Sequence, residues 1–229
     1  MGAPAEILPH GDRAVDIVFE DRISIEINSR VLALAEAVSA HMPQGVIGCI
    51  PAYRTLTVEY DPMRISYGQI CLFLRGMLGA ESVPARGRLI RIPVVYGGEF
   101  GPDLEAVARA AGLSERETAE RHFMREYHVY MIGFMPGFPY LGGLDPAIAC
   151  PRRSTPRLRV EAGSVGIAGL QTGIYPEASP GGWNIIGRTP LKLFDDEKLS
   201  LLSAGDRVSF VPIDRDAYDR ITQAEALKK

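Results

Sequence analysis

The feature that most restricts the fold of this chain is the density of glycine and proline in residues 133–190. This segment is about a quarter of the 229 residues, yet it contains 11 of the 24 glycines and 8 of the 17 prolines. Both residue types favour turns, because glycine adopts left-handed backbone conformations and proline presets a turn dihedral. The segment therefore predicts a set of shaped loops, in which the backbone can approach a ligand closely.

Short apolar or alternating runs between these turns predict that the second half of the chain is mostly β-structure. The runs lie at residues 89–96, 127–132, 164–170, 183–186, 191–194 and 207–211. Two helical patterns intervene, one near residues 103–111 and one that starts at the capping pair Ser114 and Glu117. Many short strands between turns predict a barrel or a sandwich, and periodicity does not choose between the two.

The first half of the chain has a different pattern, in the order β-α-β-β-α. Strand patterns lie at residues 14–20, 46–50 and 55–60, and helical patterns lie at about 26–41 and 66–79. The second helical pattern starts with a capping box formed by Ser66 and Gln69. This order predicts a small ferredoxin-like α+β domain, in which helices cover one face of an antiparallel sheet.

A polar stretch with proline and glycine separates the two patterns at residues 80–87 and predicts a linker. We therefore expect a two-domain α+β protein. The ferredoxin-like domain is expected at residues 1–84, and the strand-rich domain is expected at residues 88–229.

The charge and hydropathy of the chain argue against several classes of partner. Lys and Arg total 25 against 28 Asp and Glu, a net charge of −3 that provides no electrostatic attraction for nucleic acid or an anionic membrane. The start of the sequence lacks the basic and apolar regions of a signal peptide, and no apolar run reaches the length of a membrane span. We expect a cytoplasmic protein that binds neither nucleic acid nor membrane.

The cysteines and histidines predict neither a metal site nor a catalytic triad. Cys49, Cys71 and Cys150 are widely spaced and indicate reduced thiols, with Cys71 in a helical core position. Cys150 precedes Pro-Arg-Arg, so it is the one thiol whose ionisation nearby positive charge could favour, but an inert thiol is the preferred interpretation. The four histidines lack metal-ligand spacing, and the sequence has no Walker-type phosphate loop. The catalytic residues therefore stay unassigned.

An ordered series of motifs resembles a known protein family. The motifs are GFMPGFPYLGGL at 133–144, PRRSTPR at 151–157, AGSVGIAG at 162–169, QTGIYP at 171–176 and SPGGWNIIGRTP at 179–190, with further matches at 11–14, 51–54 and 204–208. This series is similar to the signature of the family that contains the 5-oxoprolinase B subunits, allophanate hydrolase subunit 1 and KipI, the inhibitor of a sporulation histidine kinase. The resemblance covers nearly the whole chain.

The resemblance implies a cyclophilin-like β-barrel for the second domain and a role that depends on other subunits. The implied partners are a homologous carboxyltransferase-like subunit of the C type and a LamB/YcsF-like subunit of the A type. Together such subunits convert 5-oxoproline to glutamate with ATP hydrolysis, so ATP is expected in the assembled complex, at a site other than a phosphate loop. The chain alone is expected to be inactive.

A site for 5-oxoproline needs a cation for the carboxylate, amide-matching groups for the lactam and an apolar wall. The candidates are Arg157 and Arg188 for the carboxylate, Gln171 and Tyr175 for the lactam, Ser164 as a further hydroxyl, and Phe134, Phe138 and Trp183 for the wall. Each has a structural alternative, because loop arginines often brace the loop and aromatic residues suit packing inside a barrel. Arg152 and Arg153 suit a partner surface or solvent.

Two other functions stay open at this point. A KipI-like protein would bind a sensor histidine kinase and inhibit it, and the motifs would then serve structure only. A urea carboxylase or allophanate-related subunit would take a different substrate, although the sequence has no Ser/Gly-rich amidase signature. Proline isomerase activity is disfavoured, because a cyclophilin-like fold does not carry that function with it.

Overall fold

The computed structural model describes residues 5–79, 87–197 and 199–227. It divides into two compact units, Met1–Gly87 and Arg88–Lys229. The predicted linker at 80–87 lies outside the described residues except for Gly87. Every helix in the described part of the chain is too short or too polar to cross a lipid bilayer.

The first unit is a four-stranded antiparallel sheet with two helices. Its elements are β1 (Glu6–His10), β2 (Ala14–Val18), α1 (Ile25–Ala40), β3 (Val46–Pro51), β4 (Thr55–Tyr60) and α2 (Tyr67–Met77). The sheet order is β1-β2-β4-β3, so β4 lies between the two strands that α1 connects. The predicted order β-α-β-β-α is present from β2 onward. The sequence patterns missed β1, whose residues are mostly exposed and include Pro9, a residue that sheets accept at their edges.

Local sequence signals explain where both helices of this unit begin. The Ser24 hydroxyl caps α1 by accepting from the Ile27 N–H, at 3.1 Å. Ser66 and Gln69 form the predicted capping box of α2, with bonds in both directions. Alternate residues of β2 and β4 and the apolar faces of the two helices form one buried cluster, which includes Val15, Ile17, Val31, Leu34, Leu56, Val58, Ile70 and Leu74. Cys71 belongs to this core, as predicted.

The second unit is built around a closed barrel. Its strands are β5 (Leu89–Tyr96), β6 (Glu126–Ile132), β7 (Pro139–Gly142), β8 (Arg157–Val160), β9 (Ser164–Ala168), β10 (Gln171–Ile174), β11 (Ser179–Gly181), β12 (Asn184–Arg188), β13 (Phe194–Asp195), β14 (Leu199–Ser200) and β15 (Arg207–Pro212). Seven strands close the barrel in the order β10-β7-β6-β15-β5-β12-β9. The choice left open between a barrel and a sandwich is therefore settled as a barrel.

The second unit also contains helices and two small hairpins that are not part of the barrel sheet. The helices are α3 (Leu104–Ala111), α4 (Glu115–Phe123), the 3₁₀ turn Pro146–Ile148 and α5 (Arg215–Ala226), and the hairpins pair β8 with β11 and β13 with β14. Ser114 and Glu117 make the capping box predicted for α4. All barrel pairs are antiparallel except β5 with β15, which run parallel.

Two strand predictions in this unit differ from the structure. The run at 164–170 is a strand as far as Ala168, because Gly169 takes φ of 58° and turns the chain into β10, which the patterns missed. In the run at 191–194, the strand β13 begins only at Phe194. Leu193 packs into the barrel core, and its carbonyl accepts from the Leu201 N–H at 2.9 Å. The patterns also missed β7, β8, β11, β14 and α5, which are short or largely exposed.

Three polar side chains form a hydrogen-bonded group in the interior of the second unit. The His122 ring lies 2.8 Å from the Tyr96 hydroxyl through Nδ1 and 2.9 Å from the Thr172 hydroxyl through Nε2. Because Thr172 donates its proton to the Gly166 carbonyl, it accepts from Nε2, and Nδ1 accepts from Tyr96. Burial lowers the pKa of His122 to about 3, so the ring is neutral in the folded protein.

Candidate functional site

The candidate site begins with a loop that brings Asp103 against strand β12. Gly101 lies so close to this strand that a Cβ there would overlap the Ile186 carbonyl oxygen, which excludes larger residues. The Asp103 N–H donates to the Ile185 carbonyl at 2.9 Å, and the Ile185 N–H donates to Asp103 Oδ2 at 2.7 Å. Although Asp103 occupies the N-cap position of α3, its side chain makes no capping bond. The carboxylate is turned toward the loop 151–157 instead.

Two arginines of that loop bind the Asp103 carboxylate. Arg157 makes a two-pronged contact, Nη1 to Oδ2 at 2.7 Å and Nη2 to Oδ1 at 2.8 Å, and Arg153 Nη1 reaches Oδ1 at 2.8 Å. Asp103 is 4% exposed. Burial raises the pKa of its carboxyl, but the bonds from Arg157 and Ile185 and the two positive charges outweigh burial, so the net pKa lies below its usual value. Asp103 is therefore ionised and fully occupied by donors.

This arrangement revises the predicted roles of the loop arginines. Arg157 does make the expected bidentate grip on a carboxylate, but the carboxylate is that of Asp103. The Arg153 guanidinium pairs with Asp103, its side chain stays 36% exposed, and its buried Nε makes no hydrogen bond. Arg152 is exposed, in line with the expectation for it.

Aromatic side chains adjoin the arginine loop. Phe138, Tyr175 and Trp183 are buried in one cluster with Val160, Ala168 and Ile185, and Tyr140 packs against it. The Phe138 ring centre lies 5.2 Å from that of Tyr175 and 5.4 Å from that of Trp183, both edge to face. The aromatic residues of the motifs thus build a common wall and core at this end of the barrel.

The hydroxyl of Tyr175 marks where this wall meets the arginines. Gly181 stands opposite Arg157 in the β8–β11 hairpin, and a Cβ at Gly181 would overlap the Tyr175 hydroxyl oxygen. Burial raises the pKa of Tyr175, while the Trp183 N–H and the charges of Arg152 and Arg157 act in the opposite sense. Glycine at 181 therefore lets this hydroxyl approach the arginine strand.

Cys150 lies close by, but its thiol is not activated. Burial, followed by the charge of Asp103, raises the pKa of the Cys150 thiol to about 11. The Asn184 amide lies 3.1 Å from the sulfur and also donates to the Pro151 carbonyl at 2.8 Å. The preferred interpretation of Cys150 as an inert thiol is therefore confirmed, and the arginines do not favour its thiolate, because burial and the Asp103 charge oppose ionisation.

The other predicted site residues have different positions and neighbours. Gln171 starts β10, at the end of that strand away from Tyr175. Arg188 ends β12 and lies 5.7 Å from the centre of the Phe100 ring. Ser164 is buried, and its carbonyl accepts from the Tyr175 N–H at 2.9 Å. Arg157, Tyr175, Phe138 and Trp183 are the candidates that the structure brings together.

Phe134 is in an unusual position. It is 63% exposed, with φ of 65°, in the left-handed region that favours glycine. Its loop is closed by a bond from the Gly133 N–H to the Phe138 carbonyl at 3.0 Å, and its ring contacts Phe138 at 5.6 Å between centres. The structural alternative for these two residues is packing inside the barrel. Phe138 is buried and fits that alternative, whereas Phe134 is exposed and does not.

Sequence reasoning missed Asp103 and His122. Asp103 looks like an ordinary acidic residue before a helix, and His122 lies in a charged helix with no motif around it. Their importance comes from partners that lie about 50 residues away in the chain. Among the described residues, no group of three or more His, Cys, Asp or Glu side chains is arranged to hold a metal.

Comparison with known proteins shows similarity to one protein family along most of the chain. The model of the family described as carboxyltransferase domain, subdomain C and D, matches residues 5–202. The chain is 46% identical to the 5-oxoprolinase B subunit of Bacillus subtilis, covering 91% of this chain and 92% of the relative. It is 54% identical to the B subunit of the same name in Haemophilus influenzae, covering 90% and 96%.

Among solved structures, TTHA0988 superposes with a TM-score of 0.79 at 42% identity, covering 88% of this chain. This chain spans 40% of the length of TTHA0988, so the matched region is one part of a longer polypeptide there.

Proposed function

The chain belongs to the carboxyltransferase-domain family, with the 5-oxoprolinase B subunits as relatives of similar length, and on that premise we propose that it is the B-type subunit of an ATP-dependent 5-oxoprolinase. The complex would open 5-oxoproline to L-glutamate with ATP hydrolysis. The observation that carries this proposal is the identity of 45–54% to such subunits over about 90% of the chain.

The proposal includes dependence on partner subunits. Support comes from TTHA0988, in which a region similar to this chain is continuous with further polypeptide. We propose that a carboxyltransferase-like C-type subunit and a LamB/YcsF-like A-type subunit supply the additional parts. ATP would bind in the assembled complex. The chain alone would hydrolyse neither ATP nor 5-oxoproline.

The geometry supports a substrate-positioning role better than a catalytic one. The Cys150 thiol is protonated at neutral pH, and the Asp103 carboxylate is occupied by four donors, so neither is a ready nucleophile or base. The loop 151–157 offers cationic donors beside a buried aromatic cluster.

Reconstitution tests the proposed function. The chain should be mixed with its C-type and A-type partners, the complex isolated by size-exclusion chromatography, and 5-oxoproline-dependent ATP hydrolysis measured. We expect hydrolysis from the complete mixture and none from any mixture that omits this chain. Turnover by the purified chain alone would contradict the proposal. Inhibition of a sensor histidine kinase without any 5-oxoproline-dependent hydrolysis would favour the KipI-like alternative.

A further inference from the structure

The loop 151–157 carries more positive charge than its carboxylate neutralises. It contains three arginines, and Asp103 pairs with two of them, Arg153 and Arg157. Arg152 is exposed and forms no ion pair within residues 5–79, 87–197 and 199–227. Asp103 thus holds two guanidinium groups in place and leaves the third to face outward. The loop keeps a surplus of positive charge, which an anion would neutralise.

Hydrogen-bond donors also remain at this loop. A guanidinium has five N–H donors, and Asp103 uses two of those on Arg157 and one of those on Arg153. The Nε of Arg153 is buried without a hydrogen bond, an arrangement that is uncommon in folded proteins.

The buried Tyr175 hydroxyl lies beside the same loop. Gly181 places it against the strand position opposite Arg157, and the charges of Arg152 and Arg157 both act on it. Tyr175 is 1% exposed and its hydroxyl is bonded to the Trp183 N–H, so it borders the arginines from the buried side.

We propose that Arg152 and Arg157 form a binding site for an oxyanion, with Asp103 as the residue that positions Arg157. The ligand class is a small molecule that carries a carboxylate or phosphate group. This inference deepens the proposed function and rests on it for the identity of the anion: the carboxylate of 5-oxoproline or a phosphate of ATP.

Binding to the purified full chain tests the site directly. Inorganic phosphate, 5-oxoproline and 2-pyrrolidinone, which lacks the carboxylate, should each be titrated by NMR or calorimetry. The variant is Arg152→Gln, and the matched control is Arg159→Gln, which removes the same charge from a neighbouring exposed position where Arg159 pairs with Glu161. We expect Arg152→Gln to raise the Kd for the anion about tenfold, since a charge-assisted hydrogen bond is lost. Arg159→Gln should change binding less than about twofold.

The binding results identify which molecule supplies the anion, and they can also contradict the proposed site. Dependence on Arg152 for 5-oxoproline, with no binding of 2-pyrrolidinone, assigns the substrate carboxylate. If only phosphate binding depends on Arg152, the anion is a phosphate group. Equal loss in both variants, or no binding of either anion by the wild-type chain, overturns the site. If anion binding needs Arg152 but the reconstituted complex shows no 5-oxoproline-dependent hydrolysis, the proposed function fails and the site stands.

Discussion

The two units of this protein differ in what they bury. Among residues 5–79 of the first unit, the buried side chains are apolar except for Asn28, whose side-chain amide donates to the Ala52 carbonyl at 3.0 Å. The second unit buries Asp103, Thr118, His122, Ser164, Thr172, Thr189 and Asp206. Burying a polar group or a charge costs free energy unless partners compensate for lost water, so buried polar residues need a complete set of partners. The second unit therefore has more buried polar residues that need partners than the first unit has.

The two buried aspartates of the second unit show that burial alone does not make a site. Asp206 accepts from Arg88 Nη2 at 2.5 Å, from the Arg88 N–H at 3.0 Å and from the Ser203 N–H at 2.9 Å. One arginine balances it, and these bonds tie the start of β5 to the turn before β15. Asp103 has two arginines and a third beside them. The surplus charge at Asp103, rather than its burial, is what points to a ligand.

The largest expected effect comes from removing Asp103. Asp103→Ala would leave two partly buried guanidinium groups without a carboxylate and the Ile185 N–H without an acceptor, so we expect the second unit to lose about 4 kcal/mol of stability. Urea unfolding followed by the fluorescence of Trp183, the only tryptophan, measures this. The exposed Asp216→Ala serves as control and should change stability by less than about 0.5 kcal/mol. Equal stability of Asp103→Ala and wild type would show that the ion pairs are dispensable.

A core truncation in the first unit tests whether the two units unfold separately. Leu56 is fully buried, so Leu56→Ala should cost that unit about 3 kcal/mol. Hydrogen exchange of amides in β2 and β4 should report this loss, while the urea transition of Trp183 should not move. Ile167→Ala, in the barrel core, is the matched control and should shift the Trp183 transition. A shift of that transition by Leu56→Ala would contradict separate unfolding.

Acid should destabilise the second unit through His122. The unfolded ring titrates near its ordinary pKa of 6.5 and the folded ring near 3, so below pH 6.5 the unfolded state binds a proton that the folded state does not. Stability therefore falls as the pH drops through this window. Between pH 6.5 and 4.5 we expect the wild type to lose about 2 kcal/mol more than His122→Gln, measured by Trp183 fluorescence in urea. The exposed His41→Gln should follow the wild type, and identical slopes for His122→Gln and wild type would refute this assignment.

The sequence was sufficient for features that depend on local chemistry. The capping boxes at Ser66 and Ser114 and the alternation in β2 and β4 are local, because each involves residues within one turn or one strand. The family motifs and the strand-rich second half were also evident from it. These features need no knowledge of which distant segments meet, and so the sequence alone determined them.

The tertiary structure decided everything that depends on distant partners. Strand pairing closed the barrel, and register placed Gly181 opposite Arg157 so that the Tyr175 hydroxyl could reach the arginine strand. No sequence pattern linked Asp103 to an arginine 54 residues later, or predicted that burial and the Asp103 charge would raise, rather than lower, the pKa of Cys150. Electrostatic and hydrogen-bond energies depend on distances in space, and a linear sequence does not contain those distances until the chain has folded.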